Sequence, residues 1–177
     1  FGRWGEIRAG VLVGTGRVDP ENNAVFSSDG FSRGGYTLKL TLDQLDNVRF
    51  PHSVGLVQVD YFESSDAFGA DFSWSRLVVE GRRALSSGAN SLLLVGRLGS
   101  SLNTQTPFYQ SFRLGGLFNL SAMPAGAIDT RNQVYRRAQY YRQIRQLPAL
   151  VGKGVYAGAL LETGWGWDNG DDMTPTL

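Results

Sequence analysis

The chain contains no cysteine. That excludes disulfides, thiolate metal sites and cysteine nucleophiles. It has a single histidine, His52, which excludes a multi-histidine metal centre. Charge of one sign is not in excess: 17 Lys and Arg face 16 Asp and Glu, leaving a formal +1 over 177 residues. So balanced a surface does not hold nucleic acid by bulk charge, and no nucleic-acid partner is expected. No apolar run approaches the ~18 residues of a membrane helix. Helical periodicity is scarce. At 42% hydrophobic residues the chain is nevertheless too apolar to be disordered. There is no initiator Met and no signal peptide. The first residue, Phe1, already lies in a patterned segment and Leu177 ends a polar turn, so the chain reads as a fragment.

What is present is alternation with period two, the mark of a strand with unlike faces. Seven strands are predicted, over residues 4–15, 35–43, 54–63, 72–85, 91–101, 133–145 and 154–167. The clearest sets Tyr36, Leu38, Leu40 and Leu42 against Thr37, Lys39, Thr41 and Asp43. Others set Ile7, Val11 and Val13 against Glu6 and Arg8, and Val57 and Val59 against Gln58 and Asp60. Leu77 and Val79 oppose Arg76, Glu80 and Arg82; Leu92, Leu94 and Leu98 oppose Arg97; Leu161 opposes Glu162. The strand at 133–145 has no cleanly apolar side, and its facing is left open.

The connections carry a second signal. Long ones, at 17–33, 64–70 and 102–132, fall at one end of an up-and-down meander, and only turns are expected at the other. That asymmetry, with strands of ~9–14 residues, suits an outer-membrane barrel. Alternation cannot by itself say which face is buried. A soluble barrel or sandwich puts the leucines inside; a membrane barrel puts them in lipid. Unbroken aliphatic faces, polar faces of mixed sign, and Trp4, Tyr36, Tyr61, Trp74, Trp165 and Trp167 near strand ends favour the second. On this reading Leu38, Leu40, Leu42, Val57, Val59, Leu92, Leu94 and Leu161 face lipid. Glu6, Arg8, Lys39, Asp60, Arg76, Glu80, Arg82, Arg97 and Glu162 face the lumen as ion pairs, since buried charges need partners.

Few motifs point to chemistry. The acidic turn at 164–172 has oxygen ligands but not the spacing of a calcium loop. Gly14-Thr15-Gly16 is expected to begin a loop, and lacks a third glycine and a following helix. His52 has no Gly-x-Ser-x-Gly elbow to serve. Asn119-Leu120-Ser121 fits a glycosylation sequon. No catalytic residue, metal or cofactor is expected.

The segment from Phe112 through Arg113, Leu114, Gly115, Gly116, Leu117, Phe118, Asn119, Leu120 and Ser121 to Gly126 is the most distinctive. It precedes Tyr140-Tyr141-Arg142 and Gly158-Ala159-Leu160-Leu161-Glu162-Thr163-Gly164-Trp165-Gly166-Trp167, and follows Leu42-Asp43-Gln44-Leu45-Asp46-Asn47-Val48-Arg49-Phe50-Pro51. In this order the segments resemble the bacterial surface antigen family of outer-membrane barrels. The likeness is nearest to the C-terminal barrel of patatin-like phospholipases. It rests most on Phe112, Leu114, Gly115, Gly116, Leu120 and Ser121.

The resemblance implies an antiparallel, up-and-down transmembrane β-barrel of about sixteen strands, of which residues 1–177 are part and which is incomplete at both ends. It implies a loop at 115–126 that folds into the lumen, and a lumen-facing acid at Glu162. It also implies an upstream hydrolase whose Ser-Asp dyad lies outside this chain. The tip Ser121-Ala122-Met123 departs from the family's Arg-Gly-aromatic and Ser-Gly-Tyr forms, with alanine for glycine and no aromatic.

The function expected is anchoring in the bacterial outer membrane and display or export of an N-terminal passenger, a patatin-like phospholipase. The partners expected are membrane lipid, further strands and upstream domains of its own chain, and a homo-oligomer. The alternatives are an outer-membrane assembly or translocation barrel and a soluble secreted β-sandwich that binds a ligand.

Overall fold

The computed structural model describes residues 5–18, 29–43, 55–103, 107, 110–147, 154–168 and 174–176. It is all-β. The strands are β1 (Gly5–Val18), β2 (Asp29–Asp43), β3 (Gly55–Ser64), β4 (Ser75–Ser87), β5 (Asn90–Ser101), β6 (Phe112–Leu114), β7 (Ile128–Thr130), β8 (Asn132–Arg145), β9 (Val155–Trp167) and β10 (Thr174–Thr176). Eight of them form one antiparallel sheet in the order β1-β2-β3-β4-β5-β8-β9-β10, and β6 and β7 form a separate ribbon. The sheet is an up-and-down meander and does not close: β1 and β10 are edges. No helix among the described residues is long and apolar enough to cross a membrane.

All seven predicted strands are present, and in all but the one at 133–145 the period-two patterning leaves the stretch only one way to segregate its side chains. The three-residue strands β6, β7 and β10 are too short to show a period. The first two strands run further than their patterning suggests: Val18 pairs with Asp29 and Gly16 with Phe31. Of the polar stretch expected as a connection from Arg17 to Arg33, residues 17–18 and 29–33 are paired strand and 19–28 lie outside the described residues; Gly14-Thr15-Gly16 lies inside β1 and begins no loop. His52 and Trp4 lie outside the described residues.

The end expected to carry only turns is described at one of its connections. β4 and β5 meet there in a two-residue turn at Gly88 and Ala89, and the turns expected around 46–52 and 147–152 lie, apart from Leu147, outside the described residues. Gly88 has φ 59° and Ala89 is not left-handed, the type II′ pattern that follows the twist of a hairpin. The length asymmetry rests on one connection, 102–131, which carries the β6–β7 ribbon.

Register gives the sheet two unlike faces. Ile7, Leu40, Val59, Val79, Leu98, Val134 and Trp165 form one continuous cross-strand row. The next row, on the opposite face, is Glu6, Thr41, Gln58, Glu80, Arg97, Tyr135 and Gly164. The facing left open in β8 is resolved by this register. Val134, Arg136, Ala138, Tyr140 and Arg142 join the apolar face; Gln133, Tyr135, Arg137, Gln139 and Tyr141 join the polar one.

Burial is inverted relative to a soluble sheet. The apolar face is uncovered: Val13 is 73% and Leu161 66% exposed, with Ile7, Val11, Leu38, Leu42, Val57 and Leu98 also exposed. The core sits on the polar face, where Val95, Leu114, Leu120 and Tyr135 cluster with Leu93, Met123 and Ile128. The connection between β5 and β8 supplies half of it.

Candidate functional site

The site is this polar face together with the segment 112–130 that folds back onto it. The fold-back starts from a ribbon in which Phe112 pairs with Thr130 and Leu114 with Ile128. Gly115 and Gly116 then turn with φ of 116° and 99°. A side chain on Gly115 would strike the carbonyl of Pro124, so this turn requires glycine. Beyond it the backbone closes on itself, with Gly116 N–H donating to Met123 O and Met123 N–H to Leu120 O, each at 3.0 Å.

Three glycines of the sheet receive the fold-back. The Phe112 ring lies on Gly99, Leu120 on Gly164, and Thr130 and Ile128 on Gly166. A Cβ at any of them would meet the docked side chain, so a glycine here is a seat cut to shape. The result is close packing: Leu114 is 0% and Tyr135 1% exposed.

Polar contacts fix the tip. Glu162 on β9 accepts from Ser121 N–H at 2.7 Å and from the Tyr135 hydroxyl at 2.5 Å. The same hydroxyl lies 2.8 Å from the Phe118 carbonyl. Ser121 Oγ accepts from Phe118 N–H at 3.0 Å. Arg97 Nη1 donates to Asn119 Oδ1 at 3.4 Å, and Arg137 lies over the Phe118 ring. Phe118 and Leu120 have φ of 58° and 72°, a left-handed backbone that costs non-glycine residues of order 1–3 kcal/mol each. The contacts around them offset that cost.

All nine charges expected on one face do share the polar face. Glu80 is the hub, 2.9 Å from Arg97 on the neighbouring strand and 2.6 Å from Arg82. Lys39 meets Asp60 at 3.3 Å, and Glu6 meets Arg8 at 2.5 Å in a pair exposed on both sides. Two do not behave as ion pairs. Glu162 takes neutral donors, and Arg76 stacks 4.0 Å from the Phe112 ring centroid with no acid beside it among the described residues. The eight aliphatic positions Leu38, Leu40, Leu42, Val57, Val59, Leu92, Leu94 and Leu161 all lie on the opposite face.

Of the motif residues, Phe112, Leu114 and Leu120 are buried in the docked segment, Gly115 and Gly116 make its turn, and Ser121 is its contact to Glu162. Asn119 turns inward, its amide donating to Arg113 O at 3.0 Å, which does not leave the sequon free. Asp168 accepts from Arg131 N–H at 2.7 Å, residues 169–173 lie outside the described residues, and no acidic or histidine cluster able to hold a metal occurs among the described residues.

One residue that matters was not singled out from sequence, and another was expected in a different setting. Tyr135 was hidden by the undecided facing of its strand, although its alternation with Gln133 and Arg137 is a weak signal. Trp74 was expected near an interface; it is buried on Phe62, with ring centroids 4.8 Å apart. No family model matches the chain, and no curated protein matches it.

Proposed function

We propose that this chain forms wall strands of an antiparallel transmembrane β-barrel in the bacterial outer membrane. Its apolar face contacts lipid. Its polar face lines the lumen, and the 112–130 segment partly plugs it. One observation carries the reading: the exposed face is mainly aliphatic, while the face partly covered by the fold-back carries most of the charges. A soluble sandwich buries its aliphatic face against a second sheet. In lipid the requirement is reversed, and charges are kept where water and partners reach them. The long strands, with β4 at 13 and β2 at 15 residues, fit a tilted span. The free edges of β1 and β10 demand partners in such a setting, since unpaired backbone groups in hydrocarbon cost several kcal/mol each.

The barrel works as an anchor that displays or exports an N-terminal passenger. A patatin-like phospholipase as that passenger rests on the resemblance carried by Phe112, Leu114, Gly115, Gly116, Leu120 and Ser121. The tip Ser121-Ala122-Met123 favours this branch over an assembly barrel, which the resemblance would give an Arg-Gly-aromatic tip.

The test is partition of the expressed chain between buffer and detergent. Extraction only by detergent, with β-rich circular dichroism in micelles, is the expected outcome. A monomer that stays soluble and melts sharply without detergent would sink the proposal.

A further inference from the structure

The described cations of the polar face outnumber its acids. Glu6, Asp60 and Glu80 each hold a basic partner, and Glu162 is occupied by Tyr135 and Ser121. Arg137, over the Phe118 ring, has no ion pair with any described residue, and neither do Arg33 and Arg76. The last two sit toward the end of the sheet that carries the fold-back. Arg33 lies over the rings of Phe62 and Trp74, at 4.6 and 5.6 Å, and Phe62 is the direct cross-strand partner of Arg76. Arg76 in turn lies 4.0 Å from the Phe112 ring centroid.

Orphaned polar atoms gather at the same place. Arg33 Nε, Arg76 Nε and Ser101 Oγ are all buried without a hydrogen-bond partner. Ser101 is the cross-strand partner of Arg76 on the other side, so Phe62, Arg76 and Ser101 form one row across three strands. Buried donors without acceptors are costly. Stacking on aromatic rings fixes the guanidinium planes but supplies no acceptor.

We propose that Arg33, Arg76 and Ser101 form a binding site for a small, freely diffusing oxyanion of the phosphate type on the polar face. A doubly charged oxyanion offers what is lacking: acceptor oxygens for two planar forks and a hydroxyl, and charge of the opposite sign. A carboxylate would satisfy one fork only. The site lies on the face away from the aliphatic surface, so a lipid headgroup does not reach it. It stands whether or not that aliphatic surface contacts lipid.

The test is calorimetric titration of the full chain with inorganic phosphate, against sodium chloride of equal ionic strength. It is run in detergent, or in buffer if the chain is soluble, so failure of the membrane reading leaves the titration decisive. Saturable phosphate binding is expected, weakened at least tenfold by Arg76→Gln and by Arg33→Gln and unchanged by Arg8→Gln. Ser101→Ala, which removes one oxygen and keeps both charges, should weaken it at least threefold and decides the matter if the arginine variants do not fold. No saturable binding, or equal affinity in Ser101→Ala and wild type, would overturn the site and leave water as the partner of these donors.

Discussion

The hydroxyl of Tyr135 donates to the carboxylate of Glu162 from the adjacent strand, at 2.5 Å, directly beneath the tip of the fold-back. Because Glu162 also accepts from Ser121 N–H, this one carboxylate ties β8, β9 and the tip together. The fold-back is thus held by a partly buried polar contact as well as by Leu114 and Leu120.

Tyr135→Phe keeps the ring and removes the hydroxyl. The Glu162 carboxylate loses its phenolic donor and the Phe118 carbonyl loses the hydroxyl beside it, so the loss expected is about 1–3 kcal/mol. Thermal melting should report it, and limited proteolysis should cut within 116–126 sooner than in wild type.

Gly164→Val fills the seat of Leu120, and Leu120→Ala empties it. The second should cost about 2–5 kcal/mol, as buried Leu→Ala changes do. The first should expel the tip. Combined, the two changes should cost less than the sum of their separate effects, which a double-mutant cycle in melting would reveal.

Leu161→Arg discriminates between the environments of the aliphatic face. Leu161 is exposed and touches no core. If the face is solvated, the substitution should stay within about 0.5 kcal/mol. If it meets lipid, an arginine costs about 2–4 kcal/mol toward the bilayer midplane, readable as a fall in folding yield into vesicles.

In the connection between β3 and β4, Asp66 accepts from the Ser73 hydroxyl at 2.5 Å. That bond, and a backbone hydrogen bond, hold its carboxyl below the usual range. A lowered folded-state value means the contact stabilises above the unfolded carboxylate range and is lost as pH falls through the lowered value. Amide exchange of residues 65–74 should accelerate on acidification, and Ser73→Ala should abolish most of that dependence.

How much of this was legible differs from strand to strand. β2 was plain because Tyr36, Leu38, Leu40 and Leu42 alternate without a break with polar residues. β8 was not, because two arginines, Arg136 and Arg142, stand on the apolar face and two tyrosines, Tyr135 and Tyr141, on the polar one. Arg136 is accommodated by lying over the Trp165 ring, at 5.8 Å, and Tyr141 by packing on Tyr156. Both reasons are tertiary and leave no periodic trace. The charges of the polar face could be grouped from sequence, but not their partners: Glu162 and Arg76 found a phenol and an aromatic ring where opposite charges were expected. The glycine seats were invisible for a similar reason, since each is matched to a side chain far away along the chain.

The seats also impose an order of events. The 112–130 segment lies between β5 and β8 in the chain, yet two of its three seats, Gly164 and Gly166, belong to β9. It therefore cannot dock as it emerges during synthesis; it must wait until residues downstream have paired. Docking becomes a late, non-local step, slow in the way that long-range contacts are. Until then the polar face stays open, and a chain halted before β9 would expose Leu114 and Leu120 to whatever binds unfinished proteins.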